Sequence, residues 1–179
     1  SPSHLEALAP ESRALLARLG ERAWSTDFYL AGGAALALYL GHRTVAGLDL
    51  MSLANRLTPQ DRRDLLVDLL EMTPGARVHT ARDGYLALEL PGALALRFYY
   101  YPYPLVEPLG GADLAVASPL DLGLMKLGAI ISRGSKRDFV DLYLLCRELP
   151  LALLLEHAQE KFGHVGDFTL QAMKGLADT

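Results

Sequence analysis

The sequence predicts an α+β fold, with a mixed sheet flanked by helices in the first two thirds and a helical bundle in the last third. Three observations carry that reading. Short apolar or alternating runs at 29–31, 48–51, 86–90 and 94–101 have the period of strands. From Ser118 onward the apolar spacing becomes helical and is punctuated by capping residues and prolines. With 51% apolar content in 179 residues, the chain can bury one sizeable core. The expected organisation is a sheet domain over 1–117 and a helical region over 118–179 packed on it.

Taken in order, residues 1–8 form a short polar lead-in, and Pro10 suits the first position of a helix over 10–19 that Gly20 closes. Tyr29-Leu30-Ala31 reads as a buried strand. Gly32-Gly33 make the turn into a compact helix over 34–40, with Gly41 in the position that ends helices. A basic His42-Arg43 pair precedes a second strand over 48–51. Thr58-Pro59-Gln60-Asp61 is a helix start, with a threonine cap, proline in the first turn and an acid behind it. Leu65, Leu66, Leu69, Leu70 and Met72 supply the stripe of that helix, which stops before Pro74-Gly75.

Asp83-Gly84 is a strong two-residue hairpin signal between runs at 78–81 and 86–90. The next hairpin is constrained by parity. Leu86, Leu88 and Leu90 share one face, as do Leu94, Leu96 and Phe98, and the faces coincide only across an odd loop. A three-residue loop at 91–93 is therefore expected. It leaves Glu89 and Arg97 together on the other face as an expected ion pair. Pro102 and Pro104 end the sheet, and 114–117 reads as one more short strand. Ser118-Pro-Leu-Asp121 and Ser135-Lys-Arg-Asp138 have capping-box spacing and start helices over 119–132 and 136–148. Two further helices are expected, from Pro150 to about Phe162 and from Phe168 to about Leu176.

Composition narrows the function. A net charge of −4 argues against a binder that works through a broad basic surface. The single cysteine, Cys146, rules out a disulfide within the chain and suits a reducing cytoplasm. The longest apolar run, 28–41, is too short and glycine-rich to span a bilayer, and no secretory leader precedes the fold. A soluble cytoplasmic protein without membrane partners is expected.

The candidate chemistry centres on 28–52. A glycine pair between a strand and a helix lets backbone approach a ligand, and amides at the helix start can hold phosphate. A carboxylate on the neighbouring strand can hold a metal against that phosphate. Asp49 has that position, flanked by Leu48 and Leu50 on a buried strand where a carboxylate is costly unless paired. Its alternatives are a metal or phosphate role, a helix cap, or a pair with Arg43. Lys126 stands in an otherwise apolar helix and either snorkels or faces an anion. Asp121 and Asp138 are equally suited to first-turn capping, and Arg137 and Asp141 have i, i+4 spacing. Asp121 and Lys126, five apart, are separated by about 140° around a helix and do not share a face. Arg133, Lys136 and Arg137 form the densest basic cluster, read as an RNA or nucleotide contact or as a solvated connector. Tyr99, Tyr100, Tyr101 and Tyr103 are candidates for base stacking or for sheet packing.

The stretch Tyr29-Leu-Ala-Gly-Gly-Ala-Ala-Leu-Ala-Leu38, followed by Gly41-His-Arg43 and Asp49, resembles the signature of the nucleotidyltransferase superfamily. Within it the wording is similar to the AbiEii/AbiGii toxin family of bacterial abortive-infection and toxin–antitoxin systems. A second block, 117–143, resembles that family's C-terminal motif. The chain departs at Gly47, where the family has its first aspartate, at Val45, where a serine is usual, and at Ala34, where a hydroxyl residue is usual. The resemblance implies a nucleotidyltransferase-like fold and transfer of a nucleotide from a nucleoside triphosphate to an acceptor such as RNA, with Mg²⁺ and a cognate antitoxin. It assigns nucleotide contacts to Gly32, Gly33, Arg43, Asp121 and Lys126, the metal to Asp49, and catalysis to Asp49, Lys126 and Asp141. The alternative is a degenerate member that binds a nucleotide or a protein without turnover.

Overall fold

Cap and turn residues set where the elements begin. The computed structural model describes residues 2–111 and 114–177. Its strands are β1 (Tyr29–Ala31), β2 (Leu48–Ser52), β3 (Arg77–Arg82), β4 (Tyr85–Leu90), β5 (Leu94–Tyr100) and β6 (Ala115–Val116). Its helices are α1 (Pro10–Gly20), α2 (Gly32–Leu40), α3 (Pro59–Met72), α4 (Pro119–Ser132), α5 (Lys136–Leu145), α6 (Leu151–Phe162) and α7 (Phe168–Ala177). The chain divides into two compact units, one of Ser1–Pro102 with Gly110–Val116 and one of Tyr103–Leu109 with Ala117–Thr179. Among the described residues, no helix is long and apolar enough to cross a membrane.

The first unit is built on one mixed sheet of order β3-β4-β5-β2-β1-β6. β1 runs antiparallel to β2 and parallel to β6, and β2 runs parallel to β5. The β4–β5 register pairs Leu86 with Phe98, Leu88 with Leu96 and Leu90 with Leu94, with the odd loop that parity requires. Gly92 and Ala93 turn that loop with φ of 81° and 59°. One sheet face is core: Leu48, Leu50, Leu86, Leu88, Leu96 and Phe98 are buried. Trp24 and Phe28 close it, with ring centroids 5.9 and 5.2 Å from that of Phe98. Trp24 stands on a 3-10 turn, Ala23–Asp27, that no sequence signal marked.

In the second unit α4 packs against α5, α6 and α7. The Cβ position of Gly123 is 2.6 Å from Leu154 Cδ2, so an alanine on α4 would require the Leu154 side chain of α6 to shift. α5 stops at Leu145 rather than at 148, because the amides of Arg147 and Glu148 tighten to the carbonyls of Leu144 and Leu145. Three helices start alike. The hydroxyl of Thr58, Ser118 or Ser135 accepts from the amide three residues on. The same hydroxyl donates to the carboxylate of Asp61, Asp121 or Asp138.

Candidate functional site

The glycine pair belongs to the first turn of α2, not to a separate turn before it, so its amides are among the donors a helix leaves unpaired. Gly32 has φ of +63°, a left-handed conformation that glycine adopts without a Cβ clash. Charged side chains also press close to both glycines. A Cβ on Gly32 would lie 2.6 Å from Asp49 Oδ2, and one on Gly33 would lie 2.6 Å from Arg43 Nη2. The β1–β2 register sets Ala31 beside Asp49, which brings the carboxylate directly behind the turn. Gly32, Gly33, Arg43 and Asp49 are thus brought together within one unit.

The loop that carries Arg43 and Gly47 is anchored at its middle. The Val45 amide donates to Ala7 O at 2.9 Å, and the Ala9 amide donates to Val45 O at 3.0 Å. Ser12 Oγ donates to Ala46 O at 2.7 Å.

Arg97 requires a correction. The sequence pairs it with Glu89, but the β4–β5 register sets Ala87 opposite Arg97 and Ala95 opposite Glu89. The parallel β2–β5 register instead places Arg97 beside Asp49, and its Nη1 donates to Asp49 Oδ1 at 2.5 Å. Asp49 is shielded and Glu89 is exposed, so the pair with Asp49 is less screened. Burial works against the Arg97 charge, but the charge and hydrogen bond of Asp49 outweigh it and raise its pKa. Tyr99, two residues along the same face, has its phenol pushed up by burial and then by the negative charge of Asp49. Its ring lies 5.0 Å from that of Tyr85, so this tyrosine packs on the sheet.

These donors do not fit a divalent-metal pair. Mg²⁺ is held by oxygen ligands in near-octahedral order. Here Asp49 already carries a guanidinium, and Gly47, where a second carboxylate would stand, offers no side-chain donor. Among the described residues, no group of three or more His, Cys, Asp or Glu side chains is placed to hold a metal ion.

The remaining candidates lie in the helical unit, and each has a partner there. Asp121 and Lys126 do point apart. Asp121 Oδ1 is 2.7 Å from Lys161 Nζ, and both side chains are fully shielded. The Asp121 carboxylate also accepts from the amides of Val106 and Glu107, while Lys161 donates to Pro104 O at 2.8 Å. The pair therefore ties Tyr103–Leu109 to α4 and α6. Burial lowers the pKa of Lys161, and Asp121 opposes that shift. Lys126 Nζ lies 3.1 Å from Asp138 Oδ1 and 2.8 Å from Asp141 Oδ2. Arg133 adds Nε and Nη2 contacts to Asp138 at 2.8 and 2.9 Å. Burial pushes the Asp138 carboxyl up, but hydrogen bonds from Arg133, Ser135 and Lys126 outweigh it and hold the group well below the carboxylate range. Part of the basic cluster thus serves as a helix clamp. Tyr103 meets Phe162 edge-on and stacks against His164.

Two residues escaped the sequence reading in these roles: Arg97 as the partner of Asp49, and Lys161 as the partner of Asp121. Both contacts are long-range, and only a parallel strand register or a helix packing brings the partners together.

The sheet order, the glycine turn at β1–α2 and the carboxylate behind it define a nucleotidyltransferase fold. The solution structure of the antibiotic-resistance factor ANT(2'')-Ia is similar to this chain with a TM-score of 0.57 at 17% identity, over 84% of this chain and 91% of that one. The Megavirus polyadenylate synthase is similar with a TM-score of 0.52 at 13% identity, over 78% of this chain and 32% of that one. No family model matches the sequence. The chain belongs to the family of the uncharacterized protein aq_aa25 of Aquifex aeolicus (strain VF5), to which it is 33% identical over 144 residues, 79% of this chain and 68% of the relative.

Proposed function

We propose that this chain is a nucleotide-binding protein of the nucleotidyltransferase fold, and that it receives the phosphates of a nucleoside triphosphate at the Gly32-Gly33 turn. One observation carries the reading: the positions of both missing Cβ atoms lie 2.6 Å from the polar side chains of Asp49 and Arg43. A turn with glycine at a left-handed position and a second glycine against Arg43 brings bare backbone amides next to charged groups, which is the arrangement that phosphate binding uses. The amides of α2 donate to phosphate oxygens, the helix dipole favours the anion, and Arg43 contributes positive charge beside Gly33. Asp49, held by Arg97, sets the position of the turn rather than holding the ligand. Lys126, Asp121 and Asp141 maintain the helical unit.

A second reading keeps the chemistry of the resembled family: AbiEii-like transfer of a nucleotide onto RNA such as tRNA, with Mg²⁺ on Asp49, in a cytoplasmic toxin–antitoxin or phage-defence setting with an antitoxin as partner. What favours it is the retention of Asp49 directly behind the glycine turn. What counts against it is the guanidinium on that carboxylate.

Calorimetric titration with each of the four nucleoside triphosphates tests the first reading. Binding that weakens at least about tenfold in a folded Gly32→Ala variant supports it. Absence of heat at millimolar nucleotide sinks it. Incorporation of labelled nucleotide into tRNA, lost in Asp49→Asn, would establish the second reading instead.

A further inference from the structure

The Asp49–Arg97 pair settles what sits on the one carboxylate behind the glycine turn. Arg97 reaches Asp49 from the adjacent parallel strand at the matching register position, so the contact follows from the strand pairing. The guanidinium also extends toward Gly47. A Cβ built on Gly47 would stand 3.8 Å from Arg97 Nη2, 3.5 Å from Ala95 O and 3.7 Å from Ala95 Cβ. These are ordinary contact distances, so the absence of a side chain at 47 is not forced by packing. A Cβ has room there, with the Arg97 guanidinium among its nearest neighbours. A cation therefore stands where two carboxylates of one strand face would converge.

We propose that Arg97 is the resident counter-cation of Asp49, standing in for a divalent metal, and that this site takes its phosphate-bearing ligand without one. A divalent ion at Asp49 would have to displace the guanidinium and then lie within a few ångströms of it, with one carboxylate to repay its dehydration. Arg97 keeps its charge across the ordinary pH range and presents donors in a fixed plane. The second half of the proposal, that a ligand binds, rests on the nucleotide-binding reading; the first half does not.

The test separates the two. Mn²⁺ alone, followed by the loss of its free electron-paramagnetic signal, is titrated into the full chain and into Gly47→Asp, Arg97→Ala and the double variant Gly47→Asp/Arg97→Ala, each checked for folding by circular dichroism. Wild type and Gly47→Asp are expected to leave millimolar Mn²⁺ free. The double variant is expected to bind it at least about tenfold more tightly. Submillimolar Mn²⁺ binding by the wild type, abolished in Asp49→Asn, overturns the proposal whether or not the variants fold. In the second arm, the triphosphate that binds best is titrated in EDTA and in Mg²⁺. Dissociation constants within about twofold support the proposal, and binding that requires Mg²⁺ overturns it. If no triphosphate binds in either buffer, the nucleotide-binding reading fails, and the Mn²⁺ arm still decides what occupies Asp49.

Discussion

Lys161 and Asp121 have no exposed side-chain surface, so neither charge can turn to water if the other is removed. Taking one member from a buried ion pair leaves the other desolvated and unpaired, a loss of about 3–5 kcal/mol. Lys161→Ala is therefore expected to lower the unfolding free energy by that amount, read as a lower urea midpoint with little change in slope. Glu160→Ala on the same helix removes an exposed contact to His157 and should cost under about 0.5 kcal/mol. A loss below about 1 kcal/mol for Lys161→Ala would mean that the Tyr103–Leu109 amides alone satisfy Asp121. Residue identity alone showed that Asp121 and Lys126 do not share a face. It could not show that Lys161 is the partner, because helix packing sets the approach of two residues forty positions apart. The same reason hides Arg97 behind Glu89: sequence proximity suggests the neighbouring hairpin strand, and the parallel register prefers β2.

Elements were far more legible than contacts, because their signals are local. Each of the hydroxyl–aspartate starts opened a helix at the expected residue, and the parity of the leucine faces determined the loop between β4 and β5. The Ala23–Asp27 turn was not legible, since it is bounded by neither proline nor glycine and is held by aromatic packing. The bulge in β3 between Val78 and Thr80 is similarly silent, on a strand at the sheet edge whose side chains are mostly exposed. The β4–β5 loop contains a testable local defect. Ala93 is exposed and holds φ of 59°, where its Cβ crowds the backbone. Ala93→Gly relieves that crowding and loses some unfolded-state advantage, for a net gain of about 0.5–1 kcal/mol. A raised thermal midpoint with unchanged circular dichroism is the expected result; a lowered one would mean that the loop does not need the left-handed conformation in solution.

At the scale of the molecule, the two units are stabilised by different means, and pH should separate them. The sheet unit has an apolar core closed by Trp24, Phe28 and Phe98. The helical unit buries the Lys126–Asp138–Asp141 cluster and the Lys161–Asp121 pair. Asp138 is held ionised in the folded state by Arg133, Ser135 and Lys126, which outweigh the cost of its burial. Its folded pKa lies below the ordinary 3.8, so between the two values the unfolded chain binds more protons than the native one. The contribution of Asp138 is therefore complete above about pH 4 and is lost as pH falls through its depressed folded value. Trp24, the one tryptophan of the chain, reports on the sheet unit, whereas ellipticity at the helical minimum is weighted toward the four helices of the other. On acidification below about pH 4, ellipticity is expected to fall before tryptophan emission shifts, so that the two curves do not coincide. Asp138→Asn should be less stable at neutral pH, because the clamp loses its charge, and should lose less of its remaining stability between pH 4 and pH 2. Coincident transitions in the wild type would mean that the two units unfold as one, and an unchanged acid slope in Asp138→Asn would remove Asp138 from that role.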